Sequence, residues 1–163
     1  MTARSVVHRS TVAVLAAGLV LVGACGRSDD DDDAAAAADD GPVSVADAWA
    51  RTTPPGTTVG AVYLRVSSDT ADVLVGADVE SSIAASAVLH STTTSTSGQT
   101  SMEPLGQLEV PAGGELVLEP AGHHIMLVDL VGPLDDGDSF DLTLHFGTAD
   151  DETVAVEVRD EAP

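Results

Sequence analysis

The stretch "GELVLEPAGHHIMLVDL" (Gly114–Leu130) decides how this chain is read. It contains two short β-rich runs, Gly114–Pro120 and His123–Leu130, each too brief for a convincing helix. In a strand, successive side chains point to opposite faces. Ile125 and Leu127 therefore share one face, while His124, Met126 and Val128 share the other. An imidazole and a thioether thus stand on one side of one strand, about 6.6 Å apart along the backbone.

The same signature recurs on both sides. Thr58–Ser68, Ala71–Glu80, Ala84–Thr94, Ser139–Gly147 and Glu152–Arg159 are short and rich in Val, Leu, Thr and Ala. The turn signals "SSDT", "PAGG", "PLDDGD" and "TADD" separate them. Strands of this length and spacing predict a single all-β domain, a sandwich or barrel. The one stretch with any claim to a helix is Val79–Ala87. In Ser139–Gly147, alternation groups Phe140, Leu142, Leu144 and Phe146 on an apolar face. It places His145 with Asp141 and Thr143 on the wetter side, as a surface histidine.

Composition narrows the function. The 163 residues suit one domain, read as residues 42–160. There are 27 acidic residues against 6 arginines and no lysine, a net charge of −21. Phosphate backbones would be repelled, which excludes nucleic acid as a partner. Aromatic residues make up only 2 %, so the core must be built from Val, Leu, Ile and Ala. There is no nucleophile elbow and no glycine-rich phosphate loop, and the chain is not expected to be an enzyme.

Residues 1–24 read as a signal peptide: Arg4 and Arg9, then the apolar run Thr11–Ala24, short for a membrane span. It ends in "LVGAC", which resembles a bacterial lipobox, with Cys25 as the lipidated residue. Cys25 is the only cysteine, so no disulfide can form within the chain. Residues 25–41, with the Asp29–Asp33 run, form an acidic tether beyond the lipid. These features predict an extracytoplasmic protein held at the membrane.

After removal of the leader, the methionines are Met102 and Met126, and the histidines are His90, His123, His124 and His145. His90 ends the run "SAVLH", and Met102 follows the polar segment Ser91–Ser101. Two imidazoles and two thioethers make a soft, neutral ligand set. Thioethers favour Cu(I) over Zn, Mg or Ca, and imidazole is compatible with that choice. Outside the cytoplasm thiolates are prone to oxidise to disulfides, whereas thioethers are not. Taken singly, a methionine is an ordinary core filler and a histidine an ordinary polar group. Their spacing sets them apart.

Eleven residues separate His90 from Met102, twenty-one separate Met102 from His124, and His124-Ile125-Met126 is a His-x-Met. This pattern resembles the copper motif of the PCu(A)C copper chaperone family. The segments "DAWARTTPPGTTVGAVYL" (Asp47–Leu64), Val110–Leu130 and Pro133–Phe146 also resemble that family, so the likeness covers about Ser44 to Val158. It implies a cupredoxin-like Greek-key β-barrel or sandwich. It implies a metallochaperone that binds Cu(I) through His90, Met102, His124 and Met126 and delivers it to an acceptor. In relatives the acceptor is the copper centre of cytochrome c oxidase, on its subunit II, sometimes with a thioredoxin-like assembly factor. The implied location is the outer face of the bacterial cytoplasmic membrane. The loop after His90 carries Ser and Thr where many relatives carry extra methionines, so Met102 has no local substitute. His123 stands where relatives often have Tyr. It falls on the strand face opposite His124 and is expected to support the site from behind or to face solvent. Helping to bind Cu(II), or to receive the ion from a donor, is its alternative. A copper-buffering lipoprotein with no dedicated acceptor would use the same ligands, and a metal-free binding lipoprotein would use none of them.

Overall fold

The computed structural model describes residues 43–163. The expected signal peptide, the expected lipidation at Cys25 and the expected tether all fall outside the described residues. The strands are β1 (Val43–Arg51), β2 (Val59–Ser68), β3 (Asp72–Val79), β4 (Ala84–Thr94), β5 (Thr100–Pro104), β6 (Leu108–Val110), β7 (Gly114–Leu118), β8 (His123–Leu130), β9 (Ser139–Phe146) and β10 (Glu152–Arg159).

Seven of them close a barrel in the order β4-β8-β2-β1-β10-β9-β3, and β3 returns to β4 through Ala77 opposite Ala87. β5 extends the sheet beyond β4, β6 extends it beyond β3, and β7 pairs with β2. Neighbours are antiparallel except β1 and β10, which run parallel. The placement of β8 between β4 and β2 needs long crossing connections of the Greek-key kind. The expected all-β, cupredoxin-like class is what the chain adopts.

Alternation builds the core. Val62, Leu64 and Val66 of β2, Ile125 and Leu127 of β8, Leu142 and Leu144 of β9, and Val156 and Val158 of β10 are buried together. Phe140 and Phe146 join them, as the β9 count requires. Burial of each such side chain stabilises the fold by roughly 1.5–3 kcal/mol.

No helix forms among the described residues. Val79–Ala87 instead makes a turn after Glu80, where the Ile83 N–H donates to the Glu80 carbonyl at 2.9 Å, and then enters β4. The ladder of β4 on β8, from Ala84↔Leu130 to Ser91↔His123, outweighs the weak local preference.

β1 contains a bulge. Its register on β2 shifts between Ala46 and Trp49, and Asp47 sits at φ 52°. The Asp47 carboxylate accepts Arg65 Nε at 3.2 Å. Beyond the bulge, Ala50 enters the core and Trp49 takes the outer face, opposite Tyr63 of β2.

Candidate metal centre

The outer face of β1, β2, β8 and β4 carries one row of rings. Trp49 pairs with Tyr63 and His124 pairs with His90. Ring centroids are 4.8 Å apart for Trp49–Tyr63, 6.4 Å for Tyr63–His124 and 5.9 Å for His124–His90. The chain's one tryptophan and one tyrosine are therefore both spent beside these histidines.

The next row is nearly bare. Ala61 of β2 faces Met126 of β8, which faces Val88 of β4. The small Ala61 leaves a pocket of about 330 Å³ lined by His124, Met126, Met102, Tyr63, Thr92 and Arg51, among others. Met102 reaches it from β5, where it pairs with Thr92, two residues from His90. Because β5 is an edge strand, Met102 is 56 % exposed, whereas His124 is 5 % exposed.

The hydrogen bonds of the two imidazoles differ. His124 Nδ1 lies 3.2 Å from the Gly122 carbonyl oxygen. A carbonyl can only accept, so Nδ1 carries the proton and the lone pair is on Nε2. The turn behind this bond is strained. Pro120 and Ala121 precede Gly122, and Ala121 holds φ 66°, the left-handed region that usually needs glycine. The Glu119 N–H donates to the His123 carbonyl at 2.8 Å and the Gly122 N–H to Glu119 at 3.0 Å, which closes the turn.

His90 Nδ1 is buried and has no hydrogen-bond partner among the described residues. Burial, and then the neighbouring His124, hold the His90 pKa below the ordinary histidine value. Its ring is therefore neutral at neutral pH, the form that offers a lone pair to a metal. Burial pushes the Tyr63 phenol up, and the charge of Arg51 partly opposes this.

The four residues singled out from the sequence thus fall into two connected groups. His124, Met126 and Met102 line one pocket, and His90 stands against His124 at its edge. His123 goes elsewhere. Its side chain lines a separate cavity of about 730 Å³ with Asp72, Glu109, Val110 and Glu115, on the other side of β8. His145 lies outside both cavities: its Nε2 meets Asp78 and its Nδ1 meets Asp151, each at 3.0 Å. Tyr63, Trp49, Arg51 and the Gly122 carbonyl had not been assigned to the site from sequence. The scarcity of aromatic residues was the available signal for the first two.

The family model described as "Putative lipoprotein LpqE-like" matches residues 43–158. A protein of Leifsonia xyli subsp. xyli, described as a "putative lipoprotein", is 36 % identical over 118 residues, covering 72 % of this chain and 70 % of its own. Among solved structures, the apo PCuAC domain from PmoF1 superposes with TM-score 0.61 at 25 % identity, covering 76 % of this chain and 96 % of that one. The solution structure of Cu(I)-DR1885 from Deinococcus radiodurans gives TM-score 0.54 at 32 % identity, covering 72 % and 79 %. The copper-bound PCuAC domain from PmoF2, at 24 % identity and TM-score 0.60, shares the fold.

Proposed function

The chain belongs to the LpqE-like lipoprotein family, and from that premise we propose that it is a lipid-anchored extracytoplasmic carrier of Cu(I). His90, Met102, His124 and Met126 bind the ion as cargo and pass it to an acceptor. The observation that carries this reading is the meeting of Met102, Met126 and His124 around one pocket, with the His90 ring against His124. Among the described residues no three His, Cys, Asp or Glu side chains converge as a metal site. The thioether sulfurs of Met102 and Met126 are the soft donors this pocket offers, and soft sulfur favours Cu(I). Likeness to Cu(I)-DR1885 supports the same ion.

The burial differences suggest an order of release. His124 is buried and oriented by the Gly122 carbonyl, so it holds longest. Met102 lies exposed on an edge strand and is displaced first. An acceptor thiolate takes its place, Met126 follows, and the copper stays Cu(I) throughout. Cys25 anchors the chain to the outer face of the cytoplasmic membrane. The acceptor is a protein embedded there, such as the copper centre of cytochrome c oxidase or a thioredoxin-like assembly factor.

An anaerobic Cu(I) titration followed by X-ray absorption tests the site. About one copper with mixed nitrogen and sulfur ligation is expected, and ligation by oxygen and nitrogen alone would sink it. His124→Ala and Met126→Ala should each lower Cu(I) affinity by more than about tenfold in a chelator competition. Wild-type affinity in both would place the copper elsewhere.

A further inference from the structure

The pocket beside the methionines differs in charge from the rest of the molecule. The chain carries 27 acidic residues, yet among the described residues no carboxylate lines this pocket. Among those residues Arg51 is its one charged lining residue. Among the described residues the other arginines are engaged: Arg65 pairs with Asp47 and Glu115, and Arg159 with Glu157. Arg51 has no ion pair among the described residues.

The register fixes where its charge lies. Trp49 faces Tyr63 and Ala50 faces Val62, so Arg51 comes next to Ala61, and Ala61 faces Met126. Strands are about 4.8 Å apart, so the backbones of Arg51 and Met126 are separated by roughly 10 Å with only the Ala61 methyl between them. The segment after Arg51 is held in place. The Thr52 N–H donates to the Arg159 carbonyl at 3.1 Å, and the Thr53 N–H to the Leu134 carbonyl at 3.0 Å. The Thr52 hydroxyl donates to Asp160 at 2.7 Å. Arg51 and Tyr63 line the same pocket.

We infer that this pocket receives a carboxylate of the partner that takes the metal, with Arg51 as its counter-charge and landing point. The identity of that partner as a copper acceptor rests on the carrier reading above; the anion site itself rests on the pocket. Acidic residues far outnumber arginines in this chain, whereas here a guanidinium with no ion pair among the described residues meets an anionic partner beside the exposed Met102. The carboxylate makes a charge-assisted hydrogen bond to Arg51 and forms no covalent bond. The partner's thiol then loses its proton to water and binds Cu(I) as the Met102 sulfur leaves, with no change of oxidation state.

Two small thiols of equal size separate the effects: mercaptoacetate, which carries a carboxylate, and mercaptoacetamide, which does not. Copper-loaded full chain in detergent is mixed with each at constant ionic strength, and Cu(I) loss is followed by stopped flow. Arg51→Gln should slow extraction by mercaptoacetate roughly fivefold, with Arg51→Lys in between, and leave mercaptoacetamide unchanged. Chelator competition measures the copper affinity of each variant, and extraction rates are compared at equal copper loading. Equal effects on both thiols, or none on either, overturn the inference. A second arm titrates mercaptoacetate onto the metal-free chain and follows amide shifts near Arg51 and Ala61. Saturable binding that weakens in Arg51→Gln supports the anion site even if copper uptake fails, an outcome that would overturn the carrier reading alone. Intact copper uptake without such binding overturns the anion site alone.

Discussion

At the scale of single residues, neighbours along β8 have opposite jobs. Ile125 is fully buried in the barrel, while Met126 opens on the outer pocket. Ile125→Ala should cost about 2–5 kcal/mol of stability. Met126→Ala should cost well under that but remove most of the Cu(I) affinity. Urea unfolding and chelator competition on the two variants measure both quantities, and a large copper loss in Ile125→Ala without unfolding would contradict the division of faces. This division was legible in the sequence, because a period of two needs only one buried face to set its phase. The role of Gly122 was not legible. Its contribution is a backbone carbonyl aimed at His124 Nδ1, and a carbonyl leaves no mark on residue type. Arg51 was equally hidden. Its lack of an ion pair among the described residues depends on which strands lie beside it, and residue type does not record that.

At the scale of elements, β strands were recognised where alternation was strong. β4, β8 and β10 have the bounds that their sequence patterns predict. β1, β5 and β6 were missed for different reasons. The Asp47 bulge breaks the period of β1, β5 exposes all of its residues to solvent, and β6 has only 3 residues. The polar segment after His90 is therefore a hairpin rather than a loop, with Thr94 opposite Thr100. That hairpin carries Met102 back toward His124. Close strand approach also gives a stability test. The Gly147 N–H donates to the Val73 carbonyl at 2.9 Å, and a Cβ at Gly147 would lie 2.5 Å from Val73 Cγ2. Gly147→Ala should destabilise by about 1–3 kcal/mol through overpacking between β3 and β9. An unchanged urea midpoint would show that Val73 can turn aside without cost.

At the scale of the molecule, His145 ties β9 to β3 and to the turn before β10. Its hydrogen bonds to Asp151 and then Asp78 raise its pKa above the ordinary value of about 6.5. A raised folded-state pKa gives stability that is complete below the unfolded value and is lost as pH rises through the folded one. Stability should therefore fall as pH increases above about 6.5, and His145→Gln should flatten that slope. Urea midpoints across this range check it, and a slope unchanged in the variant would assign the titration to another group. The sequence by itself determined the all-β class, the inward and outward faces, the acidic charge and the four candidate ligands, because these follow from residue type and a local period. Tertiary structure decided that β8 lies between β4 and β2, and so which side chains meet across strands. That placement sets His90 against His124, brings Met102 from an edge strand, and leaves Arg51 beside the small Ala61. Pairings between residues far apart in sequence are chosen by burial of the whole barrel at once, and no local pattern encodes them.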